Sequence, residues 1–339
     1  MLLHASLDSP GGDLSVLSLL PQPPCCCDTT YDERIRDSQG NYLSIARLGE
    51  DSSPPLAPLD RASQLFAQAL PSLLAQQPFP PDADYRATIQ LPDAIDEDAW
   101  FDRILGLWPI RRQPRHDIAT TRLTFDQWLA AELADDSDTT PWRLFIAVAP
   151  LTTSSLAQPS LAEPLLTLSS PPVSPAADQA PPGEAVAALW LKRIVRGQPT
   201  APHDAATLSL GAPVCPATTS PPPTSRRDHQ TLSDTWAPLL HKAERIVAIV
   251  WDGDRRGHRL DRILAAIQHD IPECCVDTDL WTLDAVTGDI LGATSAAQVA
   301  LAVQLAHQRQ GNVLVVDTRS EDRPRALLLR APSTTGTPA

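Results

Sequence analysis

Apolar residues recur along the chain in short runs and at helical spacing, and the order of the elements they predict can be read twice. In the first pass, residues 86–91 (RATIQL) form a short β-rich run, and residues 96–108 (DEDAWFDRILGLW) form an acid-started helical stretch. A second helix is predicted over 124–134, followed by strands over 143–149 (RLFIAVA) and 185–193 (AVAALWLKR). The second pass offers a strand at 245–251 (RIVAIVW), a helix at 258–269 (HRLDRILAAIQH) and a long apolar helix at 294–308. It closes with strands at 312–317 (NVLVVD) and 325–330 (RALLLR). Strands that read as continuous apolar runs separated by helices predict sheets covered on both faces. The 294–308 helix is apolar on nearly every side, so it should be buried all round. A turn containing Gly288 and Gly292 opens it, and Gly311 is expected to stop it.

With 339 residues, 42% of them hydrophobic, the chain can bury a sizeable core, and the repeat favours one body made of two halves. The formal net charge of -14, from 41 acidic and 27 basic residues, opposes nucleic acid and anionic membrane surfaces as partners. No run reaches the roughly 18 apolar residues of a membrane span. The first residues have neither the basic start nor the small-residue cleavage site of a secretory signal, so a cytoplasmic location is expected. The 35 prolines gather between the periodic runs, notably over 171–182 and 213–223, where they suit extended connections.

Candidate chemistry is sparse. Cys25, Cys26, Cys27, Cys215, Cys274 and Cys275 lack the spacer that lets two thiolates converge on one zinc, so no metal is expected and the thiols read as reduced core or loop residues. The Gly288 turn has no Gly-x-Gly-x-x-Gly and no Lys-Ser/Thr, and no cofactor is expected there. Ser154 and Ser155 follow a strand without Gly-x-Ser-x-Gly, which reads as turn capping. Asp93, Asp96, Glu97 and Asp98 suit a helix start, where carboxylates meet the positive end of the dipole. His116 and His307 carry no site geometry. Trp100, Trp108, Trp128, Trp190, Trp236, Trp251 and Trp281 fall mostly inside predicted elements, where burial is expected.

The segment 283–317 (LDAVTGDILGATSAAQVALAVQLAHQRQGNVLVVD) resembles the end of the β-ketoacyl synthases of the thiolase superfamily. There a Gly-His pair opens a Gly- and Ala-rich buried helix, a Gly ends it, and two terminal strands follow. Residues 58–70 (PLDRASQLFAQAL) resemble the helix after the opening segment, and 140–156 (TPWRLFIAVAPLTTSSL) a strand and turn near the site. Residues 181–193 (PPGEAVAALWLKR) resemble the Gly-Glu-Ala-Ala strand that closes the first half. The resemblance implies a thiolase-like α/β body of five layers in αβαβα order, with two pseudo-repeated halves. Residues 1–211 would form the first half, 212–226 a Pro-rich connection, 227–332 the second half and 333–339 a disordered tail.

The resemblance also implies where chemistry should be. Its members use a cysteine nucleophile at the N-terminus of a buried helix and two histidines that stabilise the thioester oxyanion. In this chain no cysteine occurs between positions 28 and 214. Asp252, within Trp251-Asp252-Gly253, stands where the first histidine is expected, and Gly288-Asp289 stands for the Gly-His pair. The implied function is a non-catalytic accessory or scaffold protein, of the kind found in bacterial secretion systems and biosynthetic gene clusters. The rivals are a divergent acyltransferase using Ser154 or Cys215, and a partner subunit of an active synthase. His258 reads as a surface residue of a helix start among Arg255, Arg256 and Arg259, the alternative being a displaced catalytic histidine. A homodimer, or a heterodimer with a related chain, is implied, with the strand at 143–149 as its seam. An acyl carrier protein meeting Arg111, Arg112 and Arg115, or a secretion effector, are the other implied partners.

Overall fold

The computed structural model describes residues 2–9, 12–13, 23, 29–36, 42–49, 57–80, 83–92, 95–109, 117–135, 140–151, 182–193, 208–210, 214, 228–241, 243, 245–253, 257–319 and 324–331. The first half comprises β1 (Leu2–Ser9), β2 (Gly12–Asp13), β3 (Thr30–Arg36), β4 (Tyr42–Ile45), α1 (Pro58–Ala75), β5 (Tyr85–Gln90) and α2 (Glu97–Leu107), then β6 (Asp117–Thr121), α3 (Phe125–Ala134), β7 (Trp142–Ala149) and β8 (Ala185–Lys192). The second comprises β9 (Ser209–Leu210), α4 (Asp228–Leu240), β10 (Ile246–Trp251), α5 (Gly257–Asp270), α6 (Val276–Asp279), β11 (Leu280–Thr282) and α7 (Asp284–Thr287), then α8 (Thr294–Arg309), β12 (Asn312–Asp317) and β13 (Arg325–Arg330). Asp96 starts α2 as expected, its side chain accepting from the Ala99 amide at 3.0 Å.

The two passes fold into two sheets of the same design. The first has the order β2-β1-β8-β7-β5-β6 and the second β11-β10-β12-β13-β9. In the first, β5 runs parallel to β6 and β7, while β7–β8 and β8–β1 are antiparallel. In the second, β10 runs parallel to β11 and β12, while β12–β13 and β13–β9 are antiparallel. Thus β6-β5-β7-β8-β1 corresponds to β11-β10-β12-β13-β9, and the crossovers that parallel pairs require make α2 the counterpart of α5, and α3 of α8. Each pass contains a strand between its two helices, β6 or β11, which the hydrophobic pattern did not announce.

Alternate residues along each strand face opposite layers. Phe145, Ala147 and Ala149 of β7 join Val313 and Val315 of β12 in a core between the sheets, filled by α8 and part of α3. Leu144, Ile146 and Val148 turn outward to meet α1 and α2, around Phe66 and Trp100. On the far side Ile249, Trp251, Leu314 and Val316 pack against Trp236 of α4 and Ile263 of α5. The order is helices, sheet, helices, sheet, helices. Residues 296–303 of α8 are all buried, and their many alanines let the helix lie between two sheets. All seven tryptophans singled out above are buried.

Three expectations change. The strand at 143–149 pairs on both sides, with β5 and β8, so it is interior to its sheet and cannot be the seam between two copies. Ser209–Leu210 and Val214 pair with β13, so the second half takes in residues ahead of the 212–226 stretch. Helix α8 ends on Gln310 in the left-handed conformation, at φ 51°. Gly311 is needed instead for space, because a Cβ there would lie 2.2 Å from Val247 Cγ1.

Candidate functional site

Strands β10 and β12 are adjacent and parallel, so the residues leaving their carboxyl ends meet, which is where ligands gather in open α/β sheets. Asp252 follows β10 and is fully buried. Its Oδ1 accepts from the Thr318 amide at 2.8 Å and from Thr318 Oγ1 at 3.0 Å, and its Oδ2 from Arg259 Nη2 at 2.8 Å. Thr318 Oγ1 in turn accepts from Trp251 Nε1 at 2.8 Å and Arg259 Nη2 at 2.7 Å. The Arg259 guanidinium also lies 5.6 Å from the Trp251 ring centroid. Both oxygens of Asp252 are therefore occupied.

Arg319 follows Thr318 and joins this group to the turn ahead of α8. Its Nη2 donates to Asp289 Oδ1 at 3.0 Å and its Nη1 to the Leu291 carbonyl at 2.6 Å. Asp284 Oδ1 lies 4.0 Å from Nη2, and Asp252 Oδ2 lies 3.9 Å from Nε. Asp289 also reaches the other half through its backbone, accepting from the Gly183 amide at 2.9 Å. The approach is close: a Cβ on Gly183 would stand 1.9 Å from the Thr287 carbonyl oxygen.

Carboxylates outnumber guanidiniums here, and protonation reflects it. Burial pushes Asp284 well above the usual carboxylate range, against the pull of Arg319, and its Oδ1 accepts no hydrogen bond. Burial, reinforced by the charge of Asp252, pushes Asp317 up to about 6. Desolvation disfavours the charged Arg319, but Asp289, Asp284, Asp252 and Asp317 outweigh it and hold its pKa above the ordinary value. Among the described residues no group of His, Cys, Asp and Glu is arranged to hold a metal ion.

The first half presents the N-terminus of α3 to the same seam. Thr124 and Gln127 form a capping box. The Phe125 amide donates to Ser295 Oγ of α8 at 3.0 Å, and Arg325 of β13 pairs with Asp126. Phe125, Asp126, Ser295, Gln298, Asp317 and Arg325 line a small cavity of about 20 Å³, room for about one water molecule.

No protein-family model and no curated protein matches the chain. Solved structures do. The ishigamide ketosynthase/chain length factor aligns over 97% of this chain and 98% of its own, with a TM-score of 0.56 at 12% identity. A β-ketoacyl synthase from Burkholderia phymatum STM815 aligns over the same shares, with a TM-score of 0.56 at 11% identity. A type II ketosynthase in complex with its acyl-carrier protein aligns over 97% and 98%, with a TM-score of 0.52 at 13% identity. The chain has the thiolase-like fold. Within that fold, the paired sheets and the buried α8 are the features that the repeated hydrophobic order predicts.

Of the residues singled out from sequence, the thiolase-like fold brings Asp252 and Asp289 into one cluster through Arg319. His258 is the second residue of α5, and its side chain lies outside the described residues. Ser154, Ser155, Cys215, Cys25, Cys26, Cys27, Asp93, His116, Arg111, Arg112 and Arg115 also lie outside them. His307 is exposed in the last turn of α8. Burial pushes the Cys274 thiol up to about 12, so it is protonated and inert at neutral pH. Arg259, Asp284, Asp317, Thr318 and Arg319 are the cluster members that sequence reasoning missed. The only sequence hint is an arginine two positions past an apolar strand that ends in Asp317.

Proposed function

We propose that this chain is a non-catalytic, ketosynthase-like accessory or scaffold protein. The observation that carries this reading is Asp252, buried and bound through both oxygens at the position where the resemblance expects an oxyanion-stabilising histidine. An ionised carboxylate only accepts hydrogen bonds, so it cannot donate to a thioester oxyanion and would repel one. Asp289, at the second such position, is paired with Arg319. The α3 N-terminus, counterpart of the start of α8, carries Thr124 and Phe125 rather than a cysteine, and Ser295 takes the Phe125 amide. The test is turnover: with acyl and malonyl thioesters of coenzyme A and acyl carrier protein, neither free thiol nor carbon dioxide should rise above buffer. Steady release of either contradicts the reading.

A narrower version, a partner subunit of an active synthase, is supported by exposed surface in the first half. Among the described residues, strand β6 lies at the edge of its sheet. Helix α3 leaves Ala130, Ala131, Leu133 and Ala134 exposed, whereas its counterpart α8 is buried throughout residues 296–303. A sheet edge and an exposed apolar helix face among the described residues invite another chain. We place a second copy or a related synthase there, as the ketosynthase/chain length factor named above suggests. Light scattering over a wide concentration range, alone and with a candidate synthase, tests it, and a persistent 36.6 kDa monomer in both settings removes it. No helix among the described residues is long and apolar enough to cross a membrane. A cytoplasmic setting remains part of this proposal.

A further inference from the structure

Three ionisable groups meet at the cavity between the halves, and they come from both sides of it. Asp126 sits in the first turn of α3, in the first half. Arg325 opens β13 in the second half and pairs with Asp126 across the seam. Asp317 ends β12 and is the direct cross-strand neighbour of Arg325 in the antiparallel ladder. All three line the same cavity, with uncharged Ser295 and Gln298 of α8 completing its polar wall. Two carboxylates, one from each half, thus border the cavity, and the guanidinium of Arg325 reaches the one on α3.

We propose that Asp126, Asp317 and Arg325 form a proton-controlled latch between the two halves, closed when Asp317 carries a proton. While Asp317 is ionised it repels Asp126 across the cavity and so works against the Arg325–Asp126 pair. Once Asp317 is protonated that repulsion is gone, and the seam holds more tightly. The charged groups facing Asp317 are Asp252 beyond β10, Asp126 on α3, Arg325 on β13 and Arg319 on its own loop.

The direction follows from burial. Closing the seam removes water from Asp317, and this, with the charges of Asp252 and Asp126, places its titration near pH 6. Opening restores water and lowers that value, so closing takes up a proton and is favoured as pH falls. The group's contribution to closure is lost as pH rises through about 6.

Hydrogen exchange read by mass spectrometry tests this on the full chain at pH 5.5 and 7.5, corrected for intrinsic exchange, comparing peptides covering α3 with peptides covering α1 as reference. Protection of α3 should fall several-fold at the higher pH while α1 changes little. In Asp317→Asn, α3 should stay protected at both pH values, and in Asp126→Asn it should be poorly protected at both. Equal protection of wild-type α3 at the two pH values, or an unchanged pH response in Asp317→Asn, overturns the latch. So does a loss that α3 and α1 share equally, because that reports global unfolding.

Discussion

Two arginines of this chain are held by carboxylates, and their settings are opposite. Arg61 and Glu184 in the first half are each 1% exposed, and they meet through two hydrogen bonds, Nε to Oε1 at 2.8 Å and Nη2 to Oε2 at 2.5 Å. The remaining acceptor capacity of Glu184 is filled by the amides of Leu48 and Leu151, and Arg61 also donates to the Leu48 carbonyl and Gln64. One positive charge meets one negative charge, and every lone pair has a use. Arg319 in the second half is 29% exposed and faces Asp252, Asp284 and Asp289, with Asp284 Oδ1 accepting no hydrogen bond. The first arrangement is a pin that ties α1 to the start of β8. The second is a charge-unbalanced cluster whose protonation changes with conditions.

The largest effect should come from breaking the pin. Glu184→Ala leaves a buried guanidinium unpaired and should cost about 3–5 kcal/mol, read by urea or thermal unfolding. The double replacement Arg61→Met with Glu184→Leu should recover most of that loss, because an apolar pair of similar volume needs no counter-charge. A double variant as unstable as the single one would mean that the pin does more than neutralise charge.

Next to the pin, Gly183→Ala probes the contact that joins the halves. Its Cβ would collide with the Thr287 carbonyl oxygen, so backbone must shift, at about 1–3 kcal/mol or more. Arg319→Met should cost less than Glu184→Ala, about 1–2 kcal/mol, because Arg319 is part-exposed and Asp252 keeps its bonds from Arg259 and Thr318. That loss should be greater at pH 8 than at pH 5, since protonation removes the repulsion that the missing cation leaves. Equal losses at the two pH values would contradict the description of a charge-unbalanced cluster.

The smallest effect belongs to Asp284→Asn. The folded-state pKa of Asp284 is raised by burial, so its neutral form favours the fold and its ionised form opposes it. Stability from this group is present at low pH and falls as pH climbs through the folded value. Near pH 4, where the unfolded carboxyl is still largely protonated, the variant should match the wild type within about 0.5 kcal/mol. At pH 8–9 it should be the more stable of the two, as melting temperatures across that range will report.

Much of the fold was legible because long apolar periods survive in the sequence. The strands at β7, β8, β10, β12 and β13 and helices α2, α3, α5 and α8 fall within a residue or so of the expected bounds. Strand β11 has three residues and β6 reads DIATT, too short or too polar for a period-two signal. Helix α4 carries Pro238 and crowds its apolar residues into its last turns, and tertiary packing of Trp236 and Leu232 places it. In the cluster, Asp252 and Asp289 were visible through a family pattern. Thr318 lies 66 positions from Asp252 and Arg319 lies 30 from Asp289, so no local spacing announces these partners. The 143–149 strand was misread as a seam because a continuous apolar run signals burial on both faces without saying which strands lie at its edges.

The central claim, a ketosynthase-like body without acyl chemistry, is tested most directly by intact mass after incubation with acyl-coenzyme A and acyl carrier protein thioesters. Mass spectrometry sees every residue, including Ser154 and Cys215. The chain should stay unmodified at all times and concentrations tried. A stoichiometric acyl adduct that maps to one residue would contradict it and establish the protein as a divergent acyltransferase.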